Sequence, residues 1–350
     1  MKKISIIGTV GLPGNYGGFE SLVENLVLNQ SGNIRYQVFC SKPAYKTHKK
    51  YFNGALLTYL PLKANGVQSI PYDVLSLISC IKRKPDVVLI LGVSGCLFLP
   101  LYKLCSQSKI VTNIDGLEWK RDKWGYFTKR FLKLSERLAV RFSDVVVTDN
   151  QAITDYVHAE YGVDSTTIAY GGDHALRKTQ AFTNQMEYAF ALCRIEPENN
   201  IEMILESFSK VKMQLKFVGN WNRSEFGRSL KVKYGHFKNI DLLDPIYDLD
   251  ELYKLRKGCA LYLHGHSAGG TNPSLVEMMH FGRPIFAFDC SFNRYSTDNK
   301  AHYFTNVNAL VELITRTTDT EKADNGNNMM VLAKKHYTWF KITKQYESVY

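Results

Sequence analysis

Short β-branched runs alternate with helical segments along this 350-residue chain, and they form two successive sets. Such alternation is typical of parallel sheets that are covered by helices on both faces. The predicted strands of the first set are KISIIGTV, YQVFC, ALLTYLPL, DVVLIL, KIVTNID, DVVVTDN and TTIAYGG, and those of the second set are EYAFALCRI, MQLKFVGN, NIDLLD, CALYLHGH and PIFAFD. The pattern predicts an α/β fold with two Rossmann-like domains.

A glycine cluster joins the first predicted strand to the first predicted helix, in the sequence GTVGLPGNYGGFESLVENL. Free amides and the positive dipole end of a helix favour phosphate, and glycine allows a ligand to approach the backbone. The spacing matches neither G-x-G-x-x-G nor a P-loop. A tight turn without a ligand therefore remains the alternative to an anion site.

A second strand-to-helix junction lies in residues 261–289, where a strand ends in the sequence HGH and a loop of small residues follows. Pro273 is placed as the first residue of a helix, with Asn272 or Thr271 as its cap. Glu277 follows one turn later, where its carboxylate can accept hydrogen bonds from sugar hydroxyls. Two such helix starts, one per domain, suggest a diphosphate ligand between the domains.

Four separated motifs carry a family resemblance that covers essentially the whole chain. The segment HSAGGTNPSLVEMMHFGRPIFAFD resembles the nucleotide-sugar motif of retaining GT-B glycosyltransferases of the sucrose synthase and glycogen synthase type. The segments GLPGNYGGFESLVENL, NIDGLEWKRDKWG and CRIEPENNIEMILESF are similar to bacterial rhamnosyltransferases of capsule and polysaccharide assembly. The resemblance implies metal-independent transfer from a nucleoside-diphosphate sugar to an acceptor hydroxyl, with retained anomeric configuration and no cofactor.

The resemblance also implies a domain organisation. Two Rossmann-like domains are expected to face each other across a cleft, with a terminal helix that returns to the first domain. The expected boundaries are 1–172 with 337–350 for the acceptor-side domain and 173–336 for the nucleotide-sugar domain, joined at YGGDHALRKTQ. Trp339, Phe340 and Ile342 are the expected packing residues of the terminal helix.

Donor-binding residues follow from the same resemblance. Gly17 and Gly18 would offer amides to the diphosphate, Arg194 would supply a cationic fork, and Glu277 would hold the nucleotide ribose. Further donor contacts are expected from Thr271, Asn272, Ser274 and Leu275, mainly through backbone amides.

Two positions depart from the family pattern. The first glutamate of the Glu-x7-Glu motif falls at Gly269, and the lysine often found after the arginine falls at Asn199. His266 is expected to contact the sugar in place of the missing carboxylate, and it stands with Asp115 as a candidate catalytic residue. Asp115 would orient or deprotonate the acceptor hydroxyl, with a simple helix cap as the alternative. Glu20 and Trp119 are the expected acceptor contacts.

Simpler interpretations exist for several of these residues. Arg194 has Glu196 and Glu198 nearby in sequence as surface partners. The imidazoles of HGH lie on one strand face as a possible metal pair, but no third ligand of suitable spacing follows. Glu277 as an ordinary solvated helix residue is disfavoured by its apolar neighbours.

The segment from Lys120 to Arg141 combines basic with aromatic and aliphatic residues, and the whole chain has a formal net charge of +11. This combination suits contact with an anionic membrane surface, whereas nucleic acid is not supported by any recognised binding module. The expected membrane contacts are Lys123, Trp124, Lys129, Arg130 and Lys133, with a solvated helix packed on the domain as the alternative. A glycan or lipid-linked saccharide acceptor would explain both the charge and the aromatic residues.

Cysteine usage and the N-terminus predict a cytoplasmic location, peripheral on the inner face of the membrane. Seven scattered cysteines without C-x-x-C pairs indicate reduced packing thiols, and the chain begins with a strand rather than a secretion signal. The uncharged run Val87–Tyr102 is broken by glycine and proline, so it predicts a strand, a turn and a buried helix rather than a membrane span.

The preferred functional hypothesis is transfer of L-rhamnose from dTDP-rhamnose in cell-surface polysaccharide biosynthesis. Another nucleoside-diphosphate hexose, with UDP-sugars first, is the alternative donor. An NAD-dependent oxidoreductase is disfavoured because the expected acidic ribose-binding residue is not evident. A catalytically silent partner subunit is a further alternative, because of Gly269 and Asn199.

Overall fold

A computed structural model describes residues 1–14, 17–120, 125–177 and 187–350 of the chain. The chain divides into two compact units, of which unit 1 contains residues 1–169 and 339–350 and unit 2 contains residues 170–338. These bounds differ by two or three residues from the predicted ones. The segment predicted as a linker thus lies in unit 2, and its residues 178–180 are outside the described part.

Unit 1 is built on an eight-stranded sheet in the order β3-β4-β2-β1-β5-β6-β7-β8. All neighbouring strands are parallel except β3 and β4. The central β5 is buried along its whole length, as expected for a strand covered on both faces. The strands are β1 Lys2–Ile7, β2 Ile34–Ser41, β3 Tyr51–Phe52, β4 Ala55–Leu60, β5 Val87–Leu91, β6 Lys109–Asn113, β7 Val145–Thr148 and β8 Thr166–Thr167.

The helices of unit 1 include the last helix of the chain, which returns after unit 2 is complete. They are α1 Gly18–Leu28, α2 Ser69–Arg83, α3 Leu99–Cys105, α4 Tyr126–Phe142, α5 Gln151–Tyr161 and α13 Trp339–Val349.

Unit 2 is built on a six-stranded, wholly parallel sheet in the order β11-β10-β9-β12-β13-β14. Its core includes the buried rings of Phe217, Trp221 and Phe286. The strands are β9 Tyr188–Leu192, β10 Gln214–Val218, β11 Ile240–Leu243, β12 Leu261–His264, β13 Ile285–Phe288 and β14 His302–Phe304. The helices are α6 Ile201–Phe208, α7 Glu225–Tyr234, α8 Leu249–Gly258, α9 Pro273–Met279, α10 Ser291–Ser296, α11 Val307–Arg316 and α12 Asp319–His336.

Two Rossmann-like parallel sheets confirm the predicted fold class, and each predicted strand is present. Prediction missed β3 and β14, which are edge strands of two and three residues. The run Val87–Tyr102 divides into β5, a 3-10 turn and the start of α3, but α3 is less buried than predicted, since Leu101 and Leu104 are exposed. Within the described ranges, no helix is both long and apolar enough to cross a bilayer.

Helix α13 packs against unit 1, where it contacts α1. Trp339 and Ile342 are buried as predicted, but Phe340 is 65 % exposed, so its predicted packing role is wrong. The buried Tyr346 replaces it, because its hydroxyl accepts a hydrogen bond of 2.8 Å from Nδ2 of Asn113 at the end of β6. The last helix therefore supports the segment that follows β6.

We expect Tyr346→Phe to lower the free energy of unfolding of unit 1 by about 1–3 kcal/mol, because the buried amide of Asn113 loses this acceptor. Phe340→Ala on the same helix is the control and should change stability by less than about 0.5 kcal/mol. Urea unfolding curves measure both as midpoint shifts at an unchanged slope. Equal destabilisation by the two substitutions would contradict the assigned role of Tyr346.

Candidate functional site

The predicted site residues lie on segments that follow the carboxyl ends of parallel strands. In unit 1 they follow β1 and β6, and in unit 2 they follow β9 and β12. Open parallel sheets bind ligands in the crevice outside the carboxyl ends of their strands. Each unit therefore presents one edge for chemistry.

The loop after β1 is held by two carboxylates of α1. Oε1 of Glu20 accepts hydrogen bonds from the amide of Val10 at 2.8 Å and from the hydroxyl of Thr9 at 3.0 Å. Oε2 of Glu24 accepts from the amide of Gly14 at 2.8 Å. Glu20 is buried, and its carboxylate fixes the glycine loop. Its predicted contact with the acceptor stays a prediction.

Gly17 and Gly18 form the junction between this loop and α1. Gly17 has φ of 140°, and a Cβ atom there would lie 2.0 Å from Oε2 of Glu20, so only glycine fits. Gly18 is the first residue of the helix, and no side chain of Gly17 can cap it. The geometry explains the glycine requirement, and donation of these amides to a ligand stays a prediction.

Asp115 follows β6 in a left-handed conformation with φ of 61°, which is uncommon for a residue other than glycine. Its amide donates to Oδ1 of Asn113 at 2.9 Å, and its side chain is half-buried. The next 3-10 turn begins at Glu118 and α4 begins at Tyr126, so Asp115 caps neither. Strained positions of this kind cluster at functional sites.

Trp119 fastens the segment after Asp115 to α4. Its indole Nε1 donates to Oε2 of Glu136 at 3.1 Å, and the hydroxyls of Tyr156 and Tyr161 both donate to Oε1 at 2.6 Å. Glu136 is buried and receives these three neutral donors. Trp119 thus has a structural attachment, and its contact with the acceptor stays a prediction.

Lys133 is enclosed by the same cluster and is not a free surface cation. Its ammonium lies 4.6 Å from the ring centroid of Trp119, 4.8 Å from that of Tyr156 and 4.9 Å from that of Tyr161, and 2.9 Å from Oε1 of Glu160. Burial alone would lower the pKa of Lys133, but the hydrogen bonds to Tyr156 and Glu160 outweigh burial and raise it. The predicted membrane role of Lys133 is therefore corrected to an internal one.

The other predicted membrane contacts have different surroundings. Arg130 is exposed, with its guanidinium 5.2 Å from the ring of Tyr126, whereas Lys129 is half-buried. Lys123 and Trp124 lie outside the described residues. Of this set, Arg130 is the exposed cation on α4.

The loop after β12 leads into α9 as predicted. Asn272 caps the helix, since its Oδ1 accepts from the amide of Ser274 at 3.0 Å and from the hydroxyl of Ser274 at 2.8 Å, and Pro273 is the first helical residue. The amide of Leu275 donates to the carbonyl of Asn272 at 3.1 Å. The predicted diphosphate donors Ser274 and Leu275 thus have protein acceptors here, and Thr271 and Leu275 are buried.

Glu277 is anchored by an arginine and a histidine. Oε2 pairs with the guanidinium of Arg256 from α8, and Oε1 lies 3.3 Å from Nε2 of His174. Arg256 is itself buried. Burial alone would raise the pKa of Glu277, but Arg256 and His174 outweigh burial and hold the pKa below its ordinary value. The interpretation of Glu277 as a solvated helix residue is wrong, because its carboxylate is an anion held by Arg256 and His174 and its side chain is only 13 % exposed.

Arg194 follows β9, and its side chain is 41 % exposed. Its guanidinium nitrogen Nη2 lies 3.7 Å from Oε2 of Glu196. This is the surface pairing that the sequence left open. The buried Asn199 donates from Nδ2 to the carbonyl of Arg194 at 2.6 Å. Asn199 therefore supports the backbone of the arginine instead of supplying a second cation.

His264 and His266 stack on each other with ring centroids 4.4 Å apart and ring planes 14° from parallel. Within the described part of the chain, neither ring nitrogen of the buried His264 has a hydrogen-bond partner. Burial lowers the pKa of His264 to about 3, so the imidazole is neutral. Nδ2 of Asn293 donates to the carbonyl of His266 at 2.8 Å. Among the described residues, no group of three or more His, Cys, Asp or Glu side chains is placed to hold a metal ion, so the metal-pair interpretation lacks support.

Hydrogen bonds connect the Arg194 segment to the loop after β12. Nδ2 of Asn200 donates to the carbonyl of Gly265 at 2.8 Å, and the amide and hydroxyl of Ser267 both donate to the carbonyl of Glu198. The hydroxyl of Tyr262 donates to Oγ of Ser274 at 3.1 Å, which joins β12 to the start of α9. These hydrogen bonds join the Arg194 segment, the loop after β12 and the start of α9.

Three charged residues at these edges were missed from the sequence: Arg256, His174 and Glu136. Arg256 lies in the last turn of α8, a helix rich in charged residues. His174 lies in the predicted linker, and Glu136 lies in a basic segment. Each matters through a partner far away in sequence, so local pattern gave no signal for them.

Comparison with known proteins agrees with this architecture. Residues 1–173 match the family described as Domain of unknown function (DUF1972). No curated protein sequence matches the chain significantly. Among solved structures, sucrose-phosphate synthase from Thermosynechococcus elongatus superposes with a TM-score of 0.83 at 14% identity, covering 100% of this chain and 98% of that one.

Two further structures share the fold. HepE from Anabaena in complex with UDP-glucose gives a TM-score of 0.75 at 14% identity and covers 99% of both chains. A glycosyltransferase from Rickettsia africae gives 0.74 at 11% identity and covers 99% of this chain and 97% of that one. The protein therefore has the two-domain fold of GT-B glycosyltransferase structures.

The Glu277 cluster predicts a pH-dependent contribution to stability. A folded pKa below the ordinary value of 4.5 means that the contribution is present above about pH 4.5 and is lost as the pH falls through the folded pKa. At neutral pH, Glu277→Gln should cost about 3–5 kcal/mol, because it leaves the buried Arg256 without its carboxylate.

Urea unfolding of wild type and Glu277→Gln between pH 7 and pH 3 measures this contribution. The stability difference should shrink as the pH falls below about 4.5. Glu206→Gln, which removes the exposed partner of Lys210, is the control and should show a much smaller difference. A pH-independent difference for Glu277→Gln would contradict the assignment.

Proposed function

We propose that this protein is a glycosyltransferase that moves a sugar from a nucleoside-diphosphate sugar to an acceptor hydroxyl. The observation that carries the proposal is the fixed carboxylate of Glu277, held between Arg256 and His174 on the helix that follows β12. It occupies the position at which the motif resemblance expects the ribose-binding glutamate. The GT-B fold supports the same function.

In this proposal, Glu277 accepts hydrogen bonds from the ribose hydroxyls of the donor. Arg256 and His174 keep the carboxylate ionised and oriented, which makes it a strong acceptor. Arg194 supplies the positive charge for the diphosphate, because its exposed guanidinium needs only to leave the 3.7 Å contact with Glu196. This role for Arg194 requires no metal ion or other cofactor.

The reaction breaks the bond between the anomeric carbon and the diphosphate oxygen and forms a bond from that carbon to the acceptor oxygen. We propose retention of configuration by attack from the side of the leaving diphosphate, whose oxygen takes the acceptor proton. Asp115 is proposed to orient the acceptor hydroxyl, and His266 to contact the transferred sugar. The neutral ring of His264 stacks on the ring of His266 and restricts its orientation.

A UDP-sugar is the first donor to test, because the structurally similar HepE binds UDP-glucose. dTDP-rhamnose is the second donor, and the motif similarity to rhamnosyltransferases favours it. The acceptor is proposed to be a glycan or lipid-linked saccharide in cell-surface polysaccharide biosynthesis, reached at an anionic membrane surface. The exposed Arg130 and the exposed rings of Tyr126 and Phe127 support that location.

Calorimetry with UDP, UDP-glucose and dTDP-rhamnose tests the donor site. Arg194→Ala should weaken binding of the nucleoside diphosphate and of the nucleotide-sugar by about 1.5–3 kcal/mol, because a charge-assisted contact is lost. Glu277→Gln should also weaken the binding of both ligands. Arg223→Ala, which removes an exposed arginine of the same unit, should bind like wild type.

Wild-type affinity in folded Arg194→Ala and Glu277→Gln would contradict the proposed site. Transfer or donor hydrolysis by the wild type would exclude a silent partner subunit. A nicotinamide absorbance change in place of nucleotide-sugar binding would favour the oxidoreductase alternative.

A further inference from the structure

Helix α4 carries a stripe of exposed residues that the donor site does not use. Residues 127, 130, 134, 137 and 141 are separated by three or four positions, so they lie on one face of the helix. Phe127 is 85 % exposed and Leu134 is 51 % exposed. We call the set Phe127, Arg130, Leu134, Arg137 and Arg141 the α4 stripe.

Among the residues that the structure describes, none of the carboxylates pairs with the arginines of the α4 stripe. Across the described ranges, Arg137 and Arg141 make no hydrogen bond, ion pair or ring contact, and the one contact of Arg130 is with the ring of Tyr126. In unit 2, by contrast, the half-buried Arg294 and the exposed Arg316 each pair with a nearby carboxylate. The charge of the stripe is therefore available to an external anion.

A groove of about 980 Å³ runs beside the stripe and lies wholly within unit 1. Its lining combines the three arginines and Leu134 with the apolar side chains of Val140 and Val163. The two other charged residues of the lining, Lys133 and Glu160, neutralise each other at 2.9 Å. The net charge of the groove thus comes from the arginines.

The spacing of the arginines suits a phosphate group. Arg137 and Arg141 stand one helical turn apart, about 6 Å along the axis, and Arg130 stands about 10 Å before Arg137. Guanidinium groups bind phosphate oxygens through paired N–H donors. The exposed Phe127 and Leu134 of the stripe, together with the exposed Leu104 of α3, add apolar surface on the helices that form this side of the unit.

We propose that the groove beside α4 binds the phosphate headgroup of an anionic membrane lipid, with Arg130, Arg137 and Arg141 as the ligands and the apolar lining receiving the first part of the lipid chain. The arginines of the stripe lie beside exposed apolar side chains, and this combination fits a bilayer surface. A free phosphate ion would bind the arginines but would not contact the apolar side chains. This assignment rests on the membrane location proposed above and is independent of the donor site.

Co-sedimentation with vesicles of phosphatidylcholine and the anionic lipid phosphatidylglycerol tests the proposal, with vesicles of phosphatidylcholine alone as the uncharged reference. The triple variant Arg130→Gln, Arg137→Gln, Arg141→Gln should lose about a hundredfold in vesicle partitioning, because each basic residue near an anionic surface contributes several-fold. The matched control Lys46→Gln, Lys49→Gln, Lys50→Gln removes the same charge from exposed lysines of unit 1 and should stay within about threefold of wild type.

Equal losses in the two triple variants would overturn the proposal, since general charge attraction would then explain binding. Wild-type partitioning of the arginine variant would also overturn it. Binding of inorganic phosphate by the wild type without binding to vesicles would overturn the lipid assignment. Circular dichroism and urea unfolding check that the variants are folded.

Donor calorimetry on the same proteins separates this inference from the proposed function. Both triple variants should bind UDP like wild type, because none of the exchanged residues lies in unit 2. Loss of vesicle binding with intact UDP binding supports the groove. Vesicle binding by a wild type that binds no nucleotide would sink the transferase proposal and leave the groove as a membrane contact.

Discussion

Parallel strand pairing decides where this protein can place chemistry. Apart from the β3–β4 pair, every strand pair in both sheets is parallel. Within each sheet, all strands except β3 therefore have their carboxyl ends on the same side. The chain leaves the sheet only at the two ends of its strands. The segments that follow the carboxyl ends carry the glycine loop, Asp115, Arg194 and the loop between β12 and α9. Interior strands such as β5 are wholly buried, so the chain can present side chains to a ligand mainly from the strand ends and the loops that follow them.

Buried glutamates then give these loops their shape. Glu20 binds the amide of Val10 in the loop after β1, and Glu136 binds the indole of Trp119 beyond β6. Glu277 is held by Arg256 and His174 beside the loop after β12. A buried carboxylate is costly unless its oxygens are matched, so each of these residues specifies one arrangement of its neighbours. Glu277 differs from the others because its site lies on the donor side of the proposed reaction.

Sequence pattern predicted the strands and the capped start of α9, because both depend on neighbours within a few residues. Alternating β-branched runs indicated twelve of the strands, and Asn272 with Pro273 indicated the helix start. It did not predict which carboxylates face ligand and which face the protein. Glu20 and Lys133 were assigned to external partners, but Val10 and Glu160 engage them. Such partners come from other elements, and spacing in the sequence does not reveal them.

The departures at Gly269 and Asn199 have backbone causes that bear on the donor site. Gly269 has φ of 119°, a conformation that residues with side chains rarely adopt, so a glutamate there would require another loop path. Asn199 is buried and its amide holds the carbonyl of Arg194, where a lysine would have to bury its ammonium or leave the position. One anionic and one cationic side chain are therefore absent together, and the balance of charge at this edge is unchanged. Of the two cations and two glutamates in the family pattern, this chain keeps Arg194 and Glu277. In the proposed donor site, no second residue of the same charge would therefore compensate for the loss of either one.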